Sequence, residues 1–573
     1  MAFLEIRDLT YTYPNSGIRA VDKLNLNAER GEVIAVIGPN AAGKSTFALL
    51  LKGLLKPDSG IIRIGGNERK SAGPDPEVGI LFSNPENQLV TSIVEEDVAF
   101  GLEVLGEPSH VIEKKVETVL ERLGISHLRK RMPHLMSGGE QQMAALAGVL
   151  VLDPDILILD EPTTYLDPFA RVSVLAFMRK LARQGKTILL ITHDMREAAT
   201  ADKVMLFDQG CLVFDDTPEE FFIRPGLADQ YGIIKPFLME LVLEMRALGV
   251  DVKWPSDPKS LTRTILSVLN GRRGTDQIGK KLTEVVRAGE PALVFEGIRF
   301  SYGLDALSEE PVLNGVDFSV GQGTINLICG ANGSGKSTLL QMSNGLVTPD
   351  DGKVFLGSKL LKEWKKKRGG VPGRVALLFQ NPERQVFADT VFDDIAFGPR
   401  NMGVDNDTIE DRVVKAARWV GLPDTVLNRP VYTLSGGQMR RAAVAGVLAM
   451  EPEVLVLDEP TDGLDPGGVR EFFIGARQYC DETGTAIIMA SHAVPTEIAC
   501  IDHFGHLENG TMQSSGSPAD ILTGPGRTLP KQFLPDHLIL REELLEMGVT
   551  LPDVMLDPAI AQKMFLTLAR GKN

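Results

Sequence analysis

Short runs of Val, Ile and Leu, apolar almost throughout, recur along the chain and determine its predicted secondary structure. Two of them, GEVIAVIG at 31–38 and GTINLICG at 323–330, end on glycine and precede a helical pattern. Two others, DILILDEP at 155–162 and EVLVLDEP at 453–460, end in acids. Apolar runs without polar alternation are typical of strands buried on both faces of a parallel sheet. The pattern therefore predicts an α/β fold, which binds ligands at the carboxyl edge of its sheet.

An internal repeat runs through the whole chain, because these runs and several other segments occur twice in the same order. A repeat of this length predicts two complete domains. The matched segments are GPNAAGKST (38–46) and GANGSGKST (330–338), VEEDVAFG (94–101) and FDDIAFG (392–398), MSGGE (136–140) and LSGGQ (434–438), and ITHD (191–194) and ASHA (490–493). We predict domain 1 at 1–222 with a helical extension at 223–270, a linker at 271–291, and domain 2 at 292–520 with a helical extension at 521–573.

Composition narrows the class of protein. The 573 residues exceed one ordinary core, and 43% hydrophobic with 24% charged residues is typical of a globular protein. A net charge of −16 disfavours a protein that coats nucleic acid. No apolar run reaches the roughly 18 residues of a membrane span, and the acidic N-terminus lacks a signal-peptide layout. The four cysteines show no CxxC spacing, so they are interpreted as reduced thiols of a cytoplasmic protein.

The strongest chemical signal is GxxxxGK[ST] between a strand and a helix, which is a phosphate-binding loop. Its backbone N–H groups and the helix N-terminus surround phosphate oxygens. Lys44 and Lys336 are expected to reach the β- and γ-phosphates, and Ser45 and Ser337 to coordinate Mg²⁺. The other predicted phosphate-binding residues are Gly38, Pro39, Asn40, Ala41, Ala42, Gly43 and Thr46 in the first copy, and Gly330, Ala331, Asn332, Gly333, Ser334, Gly335 and Thr338 in the second.

Ala41 stands where the second copy has Gly333. If this position requires a positive φ, alanine costs roughly 1 kcal/mol, a tolerable strain.

Two acids follow each buried strand. Asp160 and Asp458 are expected to hold Mg²⁺, usually through water, and Glu161 and Glu459 to face an attacking water.

A histidine follows the next apolar strand in each copy. His193 and His492 recur 32 or 33 residues after the glutamate, which favours a γ-phosphate contact over the alternative of a core histidine. Tyr13 and Tyr302 precede the phosphate-loop strand and are predicted to stack on adenine; the alternative is simple packing.

A Ser-Gly-Gly turn that opens a helix is a further anion site, although the phosphate loop of its own half does not require one. With these segments in this order, the chain resembles a fused pair of ATP-binding-cassette ATPases. The resemblance implies two P-loop NTPase domains in tandem, each with a helical signature subdomain, which bind ATP and Mg²⁺. It also implies that each ATP is shared head to tail. One ATP would lie between the Lys44 half and Ser435, Gly436 and Gly437, and the other between the Lys336 half and Ser137, Gly138 and Gly139.

A finer resemblance concerns LFSNPENQ at 81–88 and LFQNPERQ at 378–385, each followed by an acidic helix. These segments look like those of the ATPases of energy-coupling-factor importers. The resemblance implies that helices around Gln88 and Gln385 lie beneath a transmembrane coupling protein. It also implies that Glu95, Glu96, Asp97, Asp393 and Asp394 meet arginines of that protein. The alternative is a solvated acidic helix.

The two copies differ where this resemblance implies a catalytic glutamine. Gln380 is expected to reach Mg²⁺ and the attacking water, whereas Ser83 is too short to do so directly. The first signature also carries Glu140 in place of Gln438, and a carboxylate close to a γ-phosphate would repel it unless screened. We therefore hypothesise that both sites bind ATP and that the site built on Lys336 hydrolyses it faster.

The leading functional prediction is an ATPase subunit on the cytoplasmic face of the cell membrane that energises an importer. Its expected partners are a multi-span coupling protein and a substrate-binding membrane subunit, both separate chains, and no nucleic acid. A ribosome-associated tandem ATPase is the main alternative, but such proteins carry a long, strongly charged linker. The fused ATPase of a sugar or nucleoside importer is a third. The sequence of this chain does not identify the transported substrate.

Overall fold

A computed structural model describes residues 2–14, 17–69, 73–254, 258–269, 290–302, 311–364, 371, 373–523, 527–549, 551 and 556–570. The predicted linker at 271–291 lies outside these residues except for its last two positions. The chain divides into two compact units, residues 1–261 with 465–467, and residues 262–464 with 468–573.

The first unit contains two sheets. Its six-stranded sheet is parallel except for the last pair, and it has the order Val78–Leu81, Ile156–Asp160, Thr187–Ile191, Val33–Ile37, Lys203–Asp208, Cys211–Asp216. Its four-stranded antiparallel sheet has the order Arg19–Ala28, Leu4–Thr12, Ser59–Ile64, Asn67–Glu68.

The second unit repeats both sheets. The six strands run in the order Val375–Leu378, Val454–Asp458, Ala486–Ser491, Ile325–Cys329, His503–Glu508, Thr511–Gly516. The four antiparallel strands run Leu313–Gly321, Pro291–Phe300, Asp351–Leu356, Lys359–Leu360. The α/β fold predicted from the apolar runs is confirmed.

The uninterrupted apolar runs are explained by two cores, one on each face of the six-stranded sheet. Because side chains alternate along a strand, Val33, Ala35 and Ile37 join one core and Ile34 and Val36 the other. Every position of this strand is buried, as a strand covered on both faces requires.

Helices cover the sheets. In the first unit they are Lys44–Lys52, Val94–Val104, Ser109–Arg122, Gly138–Leu150, Pro168–Arg183, Met195–Ala198, Pro218–Ile223, Leu227–Gln230, Phe237–Ala247, and Pro258–Leu269, which extends past the unit boundary. In the second they are Lys336–Ser343, Leu361–Trp364, Val391–Met402, Asn406–Trp419, Gly436–Leu448, Pro518–Thr523, Asp536–Glu546, Pro558–Arg570, and Pro466–Thr483, whose first two residues are counted with the first unit. Within the described ranges, none of them is long and apolar enough to cross a bilayer.

Four adjacent parallel strands of each six-stranded sheet end at one edge, and this arrangement builds the site. In the first unit one strand ends at Asp160, and the other three end shortly before Ser83, His193 and the phosphate loop at Gly38. Residues distant in sequence therefore meet, because the carboxyl ends of neighbouring parallel strands lie side by side.

Candidate functional site

The phosphate loop follows the central strand in each unit, and its first glycine is required by a close backbone approach. Gly38 has φ 141°, and a Cβ there would lie 2.1 Å from the main-chain oxygen of Phe207. A Cβ on Gly330 would lie 2.1 Å from the oxygen of Leu507. Neither position accepts a side chain without a backbone shift.

The loop lysine is buried in both units and closes its own loop. Lys44 Nζ donates to the carbonyl oxygens of Gly38 at 2.7 Å and Pro39 at 2.9 Å. Lys336 Nζ makes the equivalent bonds at 2.8 and 3.0 Å. Burial lowers the pKa of Lys44, while the charges of Glu161 and Asp160 act in the opposite direction. When a phosphate binds, the lysine would exchange its bonds to neutral carbonyl oxygens for a bond to a charged phosphate oxygen. A desolvated ammonium group favours this exchange because hydrogen bonds between charged groups are stronger.

The alanine of the first loop adopts the conformation that the glycine of the second adopts. Ala41 has φ 63° and Gly333 has φ 78°. The positive φ considered from the sequence is thus present, and the expected alanine strain of roughly 1 kcal/mol applies to the first loop.

The serine that follows the lysine lies against the acid that ends the neighbouring strand. Ser45 Oγ donates to Asp160 Oδ2 at 3.1 Å, and Ser337 hydrogen-bonds Asp458. Burial raises the pKa of both acids to about 6. Asp458 Oδ1 is buried with no hydrogen-bond partner among the described residues. A divalent cation would be a ligand partner for this oxygen and would offset the cost of burying a charged carboxylate. The residues present therefore fit Mg²⁺.

Glu161 and His193 form the next pair in the first unit. His193 Nε2 lies 3.1 Å from Glu161 Oε1. Burial opposes ionisation of this glutamate, but the hydrogen bond and charge of His193 prevail and lower its pKa. Glu161 has φ 50°. A left-handed glutamate costs about 1 kcal/mol or more and turns its side chain away from the strand direction.

The matching pair of the second unit lies in a denser cluster. His492 Nδ1 lies 3.1 Å from Glu459 Oε2 and 3.6 Å from Asp462 Oδ1, and Lys336 Nζ lies 3.6 Å from Glu459 Oε1. Burial acts against each charge, yet the two carboxylates raise the pKa of His492 to about 9, and His492 lowers that of Glu459. Glu459 shares the left-handed φ, at 48°.

Asp462 was missed in the sequence. The signal that could have found it is a single difference between two otherwise identical strings, EPTD against EPTT, where the first copy has Thr164.

The segment that begins with Ser83 or Gln380 is closed by the glutamine that both copies share. Gln88 accepts a bond from the main-chain nitrogen of Phe82 at 3.1 Å and donates to the oxygen of Ile80 at 3.3 Å. Gln385 makes the equivalent bonds in the second unit. The shared glutamine therefore shapes the loop, and the variable residue stands within it. Gln380 Nε2 donates to Asp462 Oδ2 at 3.3 Å.

The acidic helix that follows uses most of its carboxylates inside its own unit. Asp97 accepts bonds from two main-chain nitrogens of the preceding loop, at 2.9 and 3.2 Å, and Asp394 does the same at 2.9 and 3.0 Å. Glu95 pairs with Arg129, and Asp393 with Arg400. Contact of these five acids with arginines of a partner stays a prediction. Glu96 is exposed, and within the described ranges its side chain has no such pairing.

The two tyrosines are held in the same way. Tyr13 Oη lies 3.1 Å from Thr46 Oγ1, and Tyr302 Oη lies 3.1 Å from Thr338 Oγ1. Each hydroxyl thus ties its ring to the phosphate loop, which fixes the ring beside it. Stacking on adenine stays a prediction.

Both signature turns begin helices with a reciprocal capping box. Ser137 and Ser435 are the N-caps, and the glycines that follow, Gly138, Gly139, Gly436 and Gly437, form the first turn. Glu140 Oε2 accepts a bond from the Ser137 nitrogen at 2.8 Å, and its other oxygen pairs with Arg131 at 3.2 Å. The carboxylate that the sequence marked as repulsive to phosphate is therefore partly screened by an arginine.

This arrangement defines a pair of P-loop nucleotide-binding domains. The family model described as ABC transporter matches residues 21–164 and 313–462. The chain is 30% identical over 552 residues to a protein of Caldanaerobacter subterraneus subsp. tengcongensis provisionally named as an ABC transporter ATP-binding protein, covering 93% of this chain and 95% of that one. The chain therefore belongs to the ABC transporter ATP-binding proteins and carries two ATPase domains in tandem.

Other relatives carry the same provisional name. A protein of Methanosarcina mazei is 31% identical over 542 residues, covering 91% of this chain and 90% of that one. A protein of Bifidobacterium longum is 33% identical over 487 residues, covering 80% of this chain but 59% of that longer relative. Among solved structures, cbiO1 of Clostridium perfringens, described as part of the ABC transporter complex cbiONQ, is 33% identical. The matched region covers 42% of this chain and 98% of the cbiO1 chain, with a TM-score of 0.37.

Proposed function

We propose that this chain is the ATP-hydrolysing subunit that energises a membrane importer of the energy-coupling-factor type, with its membrane subunits supplied by other chains. Family membership carries ATP binding and hydrolysis, generally with Mg²⁺. The importer type is the finer part of the proposal, and the matched NPENQ and NPERQ segments support it.

Each half supplies the groups that phosphoryl transfer to water requires. Lys44 and Lys336 bind phosphate oxygens, and Ser45 with Asp160, and Ser337 with Asp458, would hold Mg²⁺. When bound, Mg²⁺ supplies charge stabilisation to the phosphate oxygens. Glu161 and Glu459 accept the proton of the attacking water. His193 and His492 orient these glutamates and donate a hydrogen bond toward the γ-phosphate.

We further propose that the two halves hydrolyse ATP at unequal rates, with the half built on Lys336 the faster. That half has Gln380 within 3.3 Å of a carboxylate at the site, whereas the first half has the shorter Ser83.

An exposed apolar pair at matched positions is the single observation that carries the membrane-partner part of the proposal. Phe100 and Val90 are 48% and 67% exposed, and their counterparts Phe397 and Phe387 are 47% and 64% exposed. The rings of Phe387 and Phe397 pack edge to face with centroids 4.8 Å apart. An apolar surface repeated beside both catalytic loops supports contact with a partner. We assign it to the apolar, cytoplasmic end of a multi-span membrane protein.

The test is affinity purification of the tagged chain from gently solubilised cells, with its partners identified by mass spectrometry. The variants are Phe100→Ser and Phe397→Ser, singly and together. Val213→Ser is the matched control, since Val213 is 40% exposed on an edge strand away from this surface. These variants test the surface more directly than neutralisation of Asp97 or Asp394, because those acids also hold the loop that precedes the acidic helix.

We expect a multi-span protein to be recovered with the unaltered chain and the control, and to be depleted at least fivefold with the double variant. Recovery with ribosomal subunits and no membrane protein would refute the importer proposal and favour the translation alternative. Undiminished recovery of the membrane protein by the double variant would refute the assigned surface.

A further inference from the structure

The loop that follows the catalytic strand of the second half is held by two residues to which no role has yet been assigned. The side chain of Asp462 is 8% exposed. Its Oδ2 accepts a bond from Gln380 Nε2 at 3.3 Å, and its Oδ1 lies 3.6 Å from His492 Nδ1. One carboxylate thus contacts two side chains that arrive from two different strands.

Arg440 reaches the same loop from the first turns of the signature helix. Its guanidinium donates to the main-chain oxygen of Pro460 at 2.6 Å, to that of Asp462, and more weakly to that of Glu459 at 3.5 Å. The main-chain oxygen of Glu459 belongs to the residue that has the left-handed φ. Arg440 therefore holds the backbone at the residue with the strained conformation, while Asp462 holds the side chains of Gln380 and His492.

The first half lacks both contacts. Thr164 stands at the position of Asp462 and donates to Glu161 Oε2 at 3.2 Å. Gln142 stands at the position of Arg440. It is 1% exposed, and neither amide atom of its side chain has a hydrogen-bond partner among the described residues. The loop of the first half is therefore without the arginine bonds.

We propose that Asp462 and Arg440 are positioning residues for ATP hydrolysis in the second half, which hold Gln380, His492 and the backbone of Glu459 as one preorganised unit that the first half does not possess. This inference rests on the proposed hydrolytic function and gives a structural cause for unequal rates. Neither residue needs to touch ATP.

Burial, together with the charge of Glu459, raises the pKa of Asp462 to about 7, while His492, Gln380 and Arg440 act in the opposite direction. His492 and Arg440 face it, Lys336 lies beyond Glu459, and Gln380 donates to it. Without the carboxylate, the Gln380 amide loses its acceptor, and His492 Nδ1 loses a carboxyl oxygen 3.6 Å away while it keeps its contact with Glu459. A displacement of about 1 Å at a reacting group can reduce a rate by about 100-fold.

The test exchanges each residue for its first-half counterpart in the full chain, as Asp462→Thr and Arg440→Gln. Asp462→Asn is the conservative variant, because its amide oxygen still accepts from Gln380. Asp502→Asn controls for purely structural damage. Asp502 is a half-buried carboxylate of the same unit that pairs with Arg477 at 2.6 Å, away from the site.

Two readouts are needed, steady-state ATP hydrolysis and amide hydrogen exchange of the nucleotide-free chain over residues 459–463. We expect Asp462→Thr and Arg440→Gln to lower kcat about 10- to 100-fold with KM changed less than threefold, and to speed exchange in this segment. Asp462→Asn should recover a large part of kcat. Asp502→Asn should lower the melting temperature with kcat retained.

An unaltered kcat in Asp462→Thr would overturn the inference. So would equal loss in Asp462→Asn and Asp462→Thr accompanied by a matching rise in KM, because that is the result of structural damage alone. The failure of the proposed function is distinguishable, since the unaltered chain would then show no ATP hydrolysis.

Discussion

Two neighbouring glutamines on the first signature helix should respond to the same substitution with opposite signs. Gln141 and Gln142 are both buried in the helix Gly138–Leu150. Gln141 Nε2 donates to the main-chain oxygen of Pro133 at 2.8 Å, whereas the amide atoms of Gln142 have no hydrogen-bond partner within the part of the chain that the structure describes. We predict that Gln142→Met stabilises the nucleotide-free chain and that Gln141→Met destabilises it.

The magnitude follows from the cost of a desolvated amide. A buried polar group without a hydrogen bond costs about 1–3 kcal/mol. Methionine has a similar length and flexibility and removes that cost at Gln142. At Gln141 the same change removes one of the two hydrogen bonds that the Pro133 carbonyl accepts, while the bond from the Met136 nitrogen at 3.1 Å remains. The loss of that one bond costs about 0.5–1.5 kcal/mol. For a domain of this size, each kcal/mol shifts the melting temperature by about 2–4 °C.

The assay is differential scanning calorimetry with urea unfolding of the same samples, because a two-domain chain need not unfold in one step. The two variants should move the transition of the first domain in opposite directions. A fall of 1 kcal/mol or more in Gln142→Met, or shifts of the same sign in both variants, would refute the reasoning.

Three further predictions concern the site. Burial raises the pKa of Asp458 to about 6 from its ordinary value near 4, so the fold favours the protonated carboxyl. The contribution of this group to folding stability is therefore complete below pH 4 and is lost as the pH rises through 6. Asp458→Asn should therefore stabilise the Mg²⁺-free chain at pH 7 by about 2–3 kcal/mol, and a gain that persists unchanged at pH 4 in denaturant titrations would contradict this. Glu459→Gln should lower ATP turnover more than Glu161→Gln, and equal losses in a phosphate-release assay would exclude unequal halves. Gly333→Ala should retain ATP binding at a cost of about 1 kcal/mol, since the other copy carries alanine there and the space is open. Gly38→Ala should abolish binding through its 2.1 Å clash, and equal affinities by equilibrium binding would disprove this contrast.

Most of the fold could be predicted because its signals are local. The apolar runs gave the buried strands, and the repeat gave two copies of one architecture. The topology of a parallel sheet then brings Asp160, His193 and the phosphate loop to one edge. The domain boundaries and the linker at 271–291 remain predictions.

The contacts of particular side chains could not be predicted, because they depend on loop geometry. Asp97 and Asp394 have the composition of an acidic surface, yet they hold the preceding loop through main-chain hydrogen bonds. Arg440 looks like an ordinary helix-surface cation, yet it reaches three main-chain oxygens of a distant loop. Both cases need knowledge of where a backbone turns, which periodicity does not supply.

The left-handed glutamate of each half has a consequence for stability. Glu161 and Glu459 both hold a positive φ that glycine would adopt without strain. Replacement of either glutamate by glycine would remove this strain, so a half that did not need the acid would be more stable without it. Neither copy has taken this route. The strain present in both halves supports the proposal that both hydrolyse ATP and differ in rate.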